Sequence, residues 1–177
     1  MKPKAILVLI LTLIILSQAA CAPSAKSCPT ATSDTKLLTN AEDGYCLLYP
    51  AADSAEMPGW VVINPVSGLS DVPGDAWVNI QVQDAAGRTL AQFADEVMTA
   101  TGEGFNITLT EVQVDGDPAI VVDGLPGQDS NRIVMMVRND RLYALTFMPW
   151  HPGTEQFTPL EHLYETILQS IHFLPPS

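Results

Sequence analysis

The sequence predicts an α+β domain, an antiparallel β-sheet with two amphipathic helices packed on it in the order βββαββββα. Three observations carry that prediction. The first is the stretch from Arg132 to Pro149, which reads as a β-hairpin around Asn139 and Asp140, two residues that tolerate positive φ. Its register puts Val137, Met135, Ile133, Leu142, Ala144 and Thr146 on one face, and Met136, Val134, Tyr143, Leu145 and Phe147 on the other. Both faces are apolar, so the hairpin is expected mid-sheet with a layer packed on each side. The second is a pair of helical-period runs, each opening on a capping signal. The third is the spacing of the remaining short apolar runs, which are separated by Gly, Pro, Asn and Asp as hairpin-linked strands require.

Residues 1–20 stand apart from that domain. Lys2 and Lys4 form a basic start, Ala5 to Leu16 is an apolar run too short to span a bilayer, and small residues precede Cys21. This is the layout of a signal peptide, and it resembles a bacterial lipoprotein signal, in which the Cys after the cleavage site is lipidated. The departure from that pattern is Gln18, where such signals carry an aliphatic residue. The alternative is cleavage near Ala19 or Ala20, which would release a soluble protein with Cys21 as a spare thiol. Cysteine arithmetic favours lipidation. Three cysteines leave one unpaired, whereas a lipid on Cys21 leaves Cys28 and Cys46 as an even pair in an oxidising compartment.

Charge restricts the partners. The chain has 20 acidic and 8 basic side chains, and losing the signal removes Lys2 and Lys4 but no acid, leaving 6 basic against 20 acidic, a net charge of −14. Such a surface repels phosphate backbones and anionic head groups, so nucleic acid is excluded and membrane attachment falls to the lipid on Cys21.

Residues 21–43, rich in Ser, Thr, Pro and Ala, read as a tether, with a single globular domain over 44–177. The domain opens on GYCLLYP, a short strand closed by Pro50, followed by WVVIN, closed by Pro65. After a Pro- and Gly-rich loop, Val78, Ile80 and Val82 alternate with Asn79, Gln81 and Gln83, predicting a strand with one buried and one wet face. Thr89 and Gln92 make a capping box for a helix whose apolar stripe is Leu90, Phe93, Ala94, Val97 and Met98, stopped at Gly102. Ile107 to Val114 reads as a strand whose apolar phase slips between Leu109 and Val112, predicting a bulge. Asp115-Gly116 is a hairpin turn, and Pro118 to Leu125 returns as a strand. Thr158-Pro159-Leu160-Glu161 repeats the capping logic ahead of the stripe Leu160, Leu163, Tyr164, Ile167, Leu168 and Ile171.

That order, with GYCLLYP opening the domain, GDPAIVV after the first helix, RLYALTF in the late hairpin and ILQSIHFLP at the end, resembles the PsbP-like fold over roughly Gly44 to Pro175. The family includes the extrinsic photosystem II protein PsbP and many bacterial lipoproteins. The resemblance implies an α/β/α sandwich, an antiparallel sheet with helices on both sides. No residue here matches a photosystem or metal-binding motif, and those roles are not carried over.

The usual catalytic constellations are absent: there is no G-x-S-x-G, H-E-x-x-H, glycine-rich phosphate loop or C-x-x-C. No catalytic residue, cofactor or metal ligand is assigned. His162 and Glu165 lie one turn apart but opposite the apolar stripe, as a solvated face would. Asp115-x-Asp117 and Asp71 to Asp75 read as turn chemistry rather than calcium ligands. Arg132, Arg138 and Arg141 cluster on the central hairpin, the last two flanking its turn as solvated charge. Beyond the hairpin, Pro149 and Pro152 keep Trp150 and His151 out of the ladder and on a stiff loop. These two residues are the candidates for contact with a protein partner, against the alternative that Trp150 folds back to close the end of the core. The reading is therefore a non-enzymatic, lipid-anchored binding or scaffold domain on the outer side of a bacterial membrane. The alternatives are an enzyme with a site built from scattered residues and an acidic inhibitor or immunity-type protein.

Overall fold

The computed structural model describes residues 27–56, 61–64, 76–102, 104–127, 130–151, 153–154 and 157–175. The signal segment, Cys21 and the Asp71 to Asp75 stretch lie outside the described residues. Ten strands and two helices are described. They are β1 (Thr35–Asn40), β2 (Tyr45–Pro50), β3 (Ser54–Glu56), β4 (Val61–Asn64), β5 (Trp77–Asp84), α1 (Leu90–Thr101), β6 (Thr108–Val114), β7 (Asp117–Asp123), β8 (Arg132–Arg138), β9 (Arg141–Met148), α2 (Phe157–Ser170) and β10 (His172–Phe173).

Seven strands form the main antiparallel sheet in the order β3-β4-β5-β9-β8-β7-β6. The β8–β9 hairpin sits inside it with the expected register, Met136 opposite Tyr143 and Met135 opposite Ala144. Asn139 and Asp140 both have positive φ, the conformation a type I′ turn demands. Its two faces feed two cores. On one side Val134, Met136, Tyr143, Leu145 and Phe147 pack with Leu160, Leu163 and Ile167 of α2 and with Ile171 just after it. On the other, Met135 and Leu142 pack with Phe93 and Ala94 of α1. The sheet is thus covered on both faces, as an all-apolar hairpin requires.

Three strands depart from the expected order. The stretch expected to be all tether ends in β1, which pairs with β2, and β2 also pairs with β10, making a separate three-stranded sheet that shares the α2-side core through Leu38, Tyr45, Leu47 and Phe173. The domain therefore extends to Thr35 at least. β1 escaped notice because it is an edge strand that turns only Leu38 and Asn40 inward, too few for an apolar alternation. The three-residue β3 and two-residue β10 are shorter than any periodic signal. The Cys28–Cys46 bridge, with Cα atoms 5.8 Å apart, ties the start of the described chain to β2. Closing a loop of that length stabilises the domain by about 3 kcal/mol.

Three local expectations also change. β6 pairs with β7 without interruption from Thr108–Asp123 to Val114–Asp117, so there is no bulge. The apolar phase slips because Leu109 lies on the α1 side of an edge and remains exposed, while Val112 and Val114 turn to the α2 side. β5 is not wet along one whole face, since Asn79 is buried. Finally, α2 begins at Phe157, so Thr158 lies inside its first turn rather than at the cap. Phe157 packs on Trp150, with ring centroids 5.2 Å apart, and this contact carries the helix two residues further back than Pro159. The capping box of α1 forms as expected, with Thr89 and Gln92 each accepting from the other's backbone N–H.

Candidate functional site

The end of the sheet where β9 runs out gathers four aromatic side chains on the α2 side. Trp150 meets Phe147, Phe157 and Tyr164 edge-on, at centroid distances of 6.3, 5.2 and 5.3 Å. It is only 8 % exposed. A partner-facing role for Trp150 is therefore corrected: the indole closes the core, because the Phe147 and Tyr164 rings offer it a larger apolar contact than solvent does. His151, the next residue, is exposed, with Nδ1 2.8 Å from the Ser130 hydroxyl. That hydroxyl donates to the Trp150 carbonyl at 2.6 Å, and the Trp150 N–H donates to the Ser130 carbonyl at 2.8 Å, so the loop is locked to the chain entering β8.

Arg132 completes this end, and sequence reasoning placed it only in a loose basic cluster. Its guanidinium lies 4.1 Å from the Trp150 ring centroid and 5.1 Å from that of Tyr164. Nε and Nη2 donate to the two Asp123 oxygens at 2.8 Å each, a fork-to-fork pair. Burial works against the charge of Arg132, but the Asp123 carboxylate and Tyr164 outweigh it and hold the guanidinium above its ordinary pKa. Burial raises the Tyr164 hydroxyl, partly offset by Arg132. The pair follows from register, since Asp123 and Arg132 face one another across β7 and β8. The signal was available in the sequence only to a reader who already knew the length of the β7–β8 connection.

Two other polar clusters lie elsewhere. At the β6–β7 turn the Asp115 carboxylate, with 1 % of its side chain exposed, accepts from His172 Nδ1 at 2.9 Å and from the Phe173 N–H at 3.2 Å, with Arg138 Nη1 at 3.6 Å. Arg138 also pairs with Asp117. Asp115 and Asp117 thus hold β10 and β8 to the hairpin, with Asp115 at a positive φ. Among the described residues no group of three or more His, Cys, Asp or Glu is placed to hold a metal ion. At the β8–β9 turn, on the same end of the sheet, hollows of about 390 and 160 Å³ share Asp43, Asn139 and Arg141. Their polar groups are engaged in holding loops. Asp84 accepts from the Ala86 N–H and Asp140 from the Gly87 N–H, both at 2.8 Å. Arg141 donates to the Glu42 carbonyl at 3.0 Å, and Tyr143 to the Asp43 carbonyl at 2.8 Å. Arg138 and Arg141, expected as solvated charge, are therefore paired within the chain.

A layered α+β domain with its polar clusters spent on internal fastening is the class that these observations define. Its fold is PsbP-like. The solution structure of cyanobacterial PsbP (CyanoP) from Synechocystis sp. PCC 6803 is similar to it, with a TM-score of 0.50 and 15 % sequence identity, covering 85 % of this chain and 99 % of that one. At this identity the likeness is one of fold. No protein-family model and no curated protein sequence matches the chain.

Proposed function

We propose that the protein is a non-enzymatic binding or scaffold domain, exported and held on the outer side of a bacterial membrane by a lipid on Cys21. The observation that carries the non-catalytic part is the state of its polar clusters. All four arginines, Arg88, Arg132, Arg138 and Arg141, are engaged by carboxylates of the same chain. The Asp115–His172 pair is likewise spent on anchoring β10, with the Phe173 N–H as a third partner. A catalytic centre needs a nucleophile set against a base with room for substrate. The hollows beside Asp43 contain acids that fasten turns instead.

The anchoring part rests on the signal pattern and gains a geometric consequence from the Cys28–Cys46 bridge. Cys28 lies seven residue steps after Cys21, so the bridge lies within roughly 25 Å of a lipid on Cys21 even with that segment fully extended. The domain works close to its membrane. Cys21→Ser is expected to move the protein from the washed membrane fraction to the soluble fraction while leaving its unfolding transition unchanged. Retention of the substituted, signal-cleaved protein on membranes would refute the anchor. Crosslinking the anchored protein in its own membrane tests the binding role, with a reproducible protein adduct as the expected result.

A further inference from the structure

The free edge of the main sheet on the α1 side is β6, and hairpin geometry fixes where its backbone groups point. In a two-residue turn the flanking pair, here Val114 and Asp117, exchanges both hydrogen bonds, and positions along the strand then alternate. Gln113, Glu111 and Leu109 therefore occupy the positions whose N–H and C=O face away from β7. An edge with such groups is a template for strand pairing unless Pro, charged side chains or a bulge block it. The sequence TLTEVQV has no Pro, its ladder is unbroken, and its one charge, Glu111, admits a strand that brings the opposite charge.

Beside this edge lies a groove of about 560 Å³, walled by Leu90 and Ala91 of α1 and by Glu111 and Gln113 of β6, with Ile120 of β7 between them. Helical spacing continues the α1 wall from Ala91 to Asp95 and Met98, and strand alternation continues the β6 wall to Leu109. The loop joining the two elements packs tightly against the end of β7, where any Cβ on Gly124 would collide with the Asn106 carbonyl. Three of the four exposed large apolar residues among those described border this edge: Met98 at 39 %, Phe105 at 51 % and Leu109 at 43 %. An apolar strip on an open strand edge marks an interaction site.

Charge selects the occupant. Glu111 lines the groove, Asp95 follows Ala91 one turn further along α1, and neither makes an ion pair among the described residues. A second copy of this chain would bring its own acidic excess. Among the described residues it has no arginine to spare and Lys36 is engaged by the Asp53 carbonyl at 2.8 Å and the Tyr49 ring, which leaves Lys26, outside the described residues, against 20 acids.

We propose that the β6 edge and the α1–β6 groove bind an extended segment of a partner polypeptide, added as an outer strand beside β6, with apolar and basic side chains facing Leu109 and Glu111. This deepens the binding-domain reading and is independent of the lipid anchor. The probe is a capped peptide, Thr-Val-Thr-Lys-Thr-Val-Thr, titrated into the mature protein in neutral detergent while backbone amide resonances are followed by NMR. Saturable shifts centred on the Leu109, Glu111 and Gln113 amides, with slowed hydrogen exchange there, are expected. Replacing the peptide's Lys by Glu should weaken binding about tenfold, the factor that about 1.4 kcal/mol of lost attraction gives. Gln113→Pro, which deletes an outward N–H without touching the β7 ladder, should abolish the shifts at the neighbouring amides, and Gln113→Ala should retain them. Thermal unfolding of both variants shows whether the fold is kept. No saturable shift, shifts centred elsewhere, equal binding of the Lys and Glu peptides, or binding that survives Gln113→Pro would overturn the proposal. A dimer in sedimentation with the β6 amides already protected would overturn it in favour of a second copy. A protein crosslinked elsewhere on the domain would leave the binding role standing while this site fell.

Discussion

The central hairpin is apolar on both faces in sequence, yet the two faces of the main sheet are covered unequally. On the α2 side a helix and a second sheet close over the β-strands, and the enclosed space holds Tyr45, Phe147, Leu160 and Ile167, all fully buried. On the α1 side one helix covers mainly β7 and β8, its core is small, and the apolar surface runs out to the β6 edge. A hydrophobic pattern reports that a face is covered; it does not report how completely, or by what. The difference predicts that substitutions on the α2 side act on stability, while those at the α1-side edge act on association.

The largest expected effect is at Trp150. Truncation to Ala removes the ring that Phe147, Phe157, Tyr164 and Arg132 all pack against, and the α2-side core should lose about 3–5 kcal/mol. Chemical denaturation of Trp150→Ala measures this directly. A loss below about 1 kcal/mol would show that the side chain is not a closing element and would erase the contrast between the faces.

How far the sequence could be read follows the same division. The β8–β9 hairpin was legible to the residue because a two-residue turn and a strict alternation leave one register open. Both helices were legible from their stripes. The small sheet was not, because β1 and β10 are ordered by tertiary contacts: Ser170 Oγ accepts from the Leu48 N–H at 2.9 Å, and Asp115 receives β10. Those links join residues far apart in the chain, and nothing local in Leu48 or Phe173 announces them. Among the candidate site residues, Trp150 and His151 were found, but the assignment of Trp150 depended on whether rings from β9 and α2 converge on it. Leu109 stood out only as one side of a slipped apolar phase, and nothing in the sequence singled out Glu111.

A middle-sized effect concerns the rim of the α2-side layer. Asp53 is 5 % exposed, and one of its carboxylate oxygens has no hydrogen-bond partner. Burial raises its pKa to about 6, against the opposing pull of His162 and Lys36. The folded state thus keeps a proton that the unfolded chain gives up near pH 4, so the contribution of Asp53 to stability is fully present below that pH and is lost as pH rises through about 6. Asp53→Asn removes the fall. It should gain about 1–2 kcal/mol over the native protein at pH 7 and nothing at pH 4. Parallel unfolding curves at the two pH values test this, and a gain independent of pH would show that ionisation is not its source.

The smallest effect on stability is expected at the β6 edge, which makes it the sharpest test of the contrast. Leu109 and Leu145 are the same residue on neighbouring parts of one sheet. Leu145 is fully buried between β5 and β8, and its truncation to Ala belongs with core substitutions that cost about 2–5 kcal/mol. Leu109 keeps much of its surface in water on the outermost strand. Leu109→Thr brings in a β-branched residue suited to a strand and keeps the backbone ladder while removing apolar surface, so its unfolding free energy should stay within about 0.5 kcal/mol of the native value. Its dye-accessible apolar surface should fall at the same time, read as weaker fluorescence of a hydrophobic probe in the folded protein. A cost approaching that of Leu145→Ala would mean that Leu109 is a core residue, and the open edge beside α1 would have to be abandoned as a place where this protein meets another.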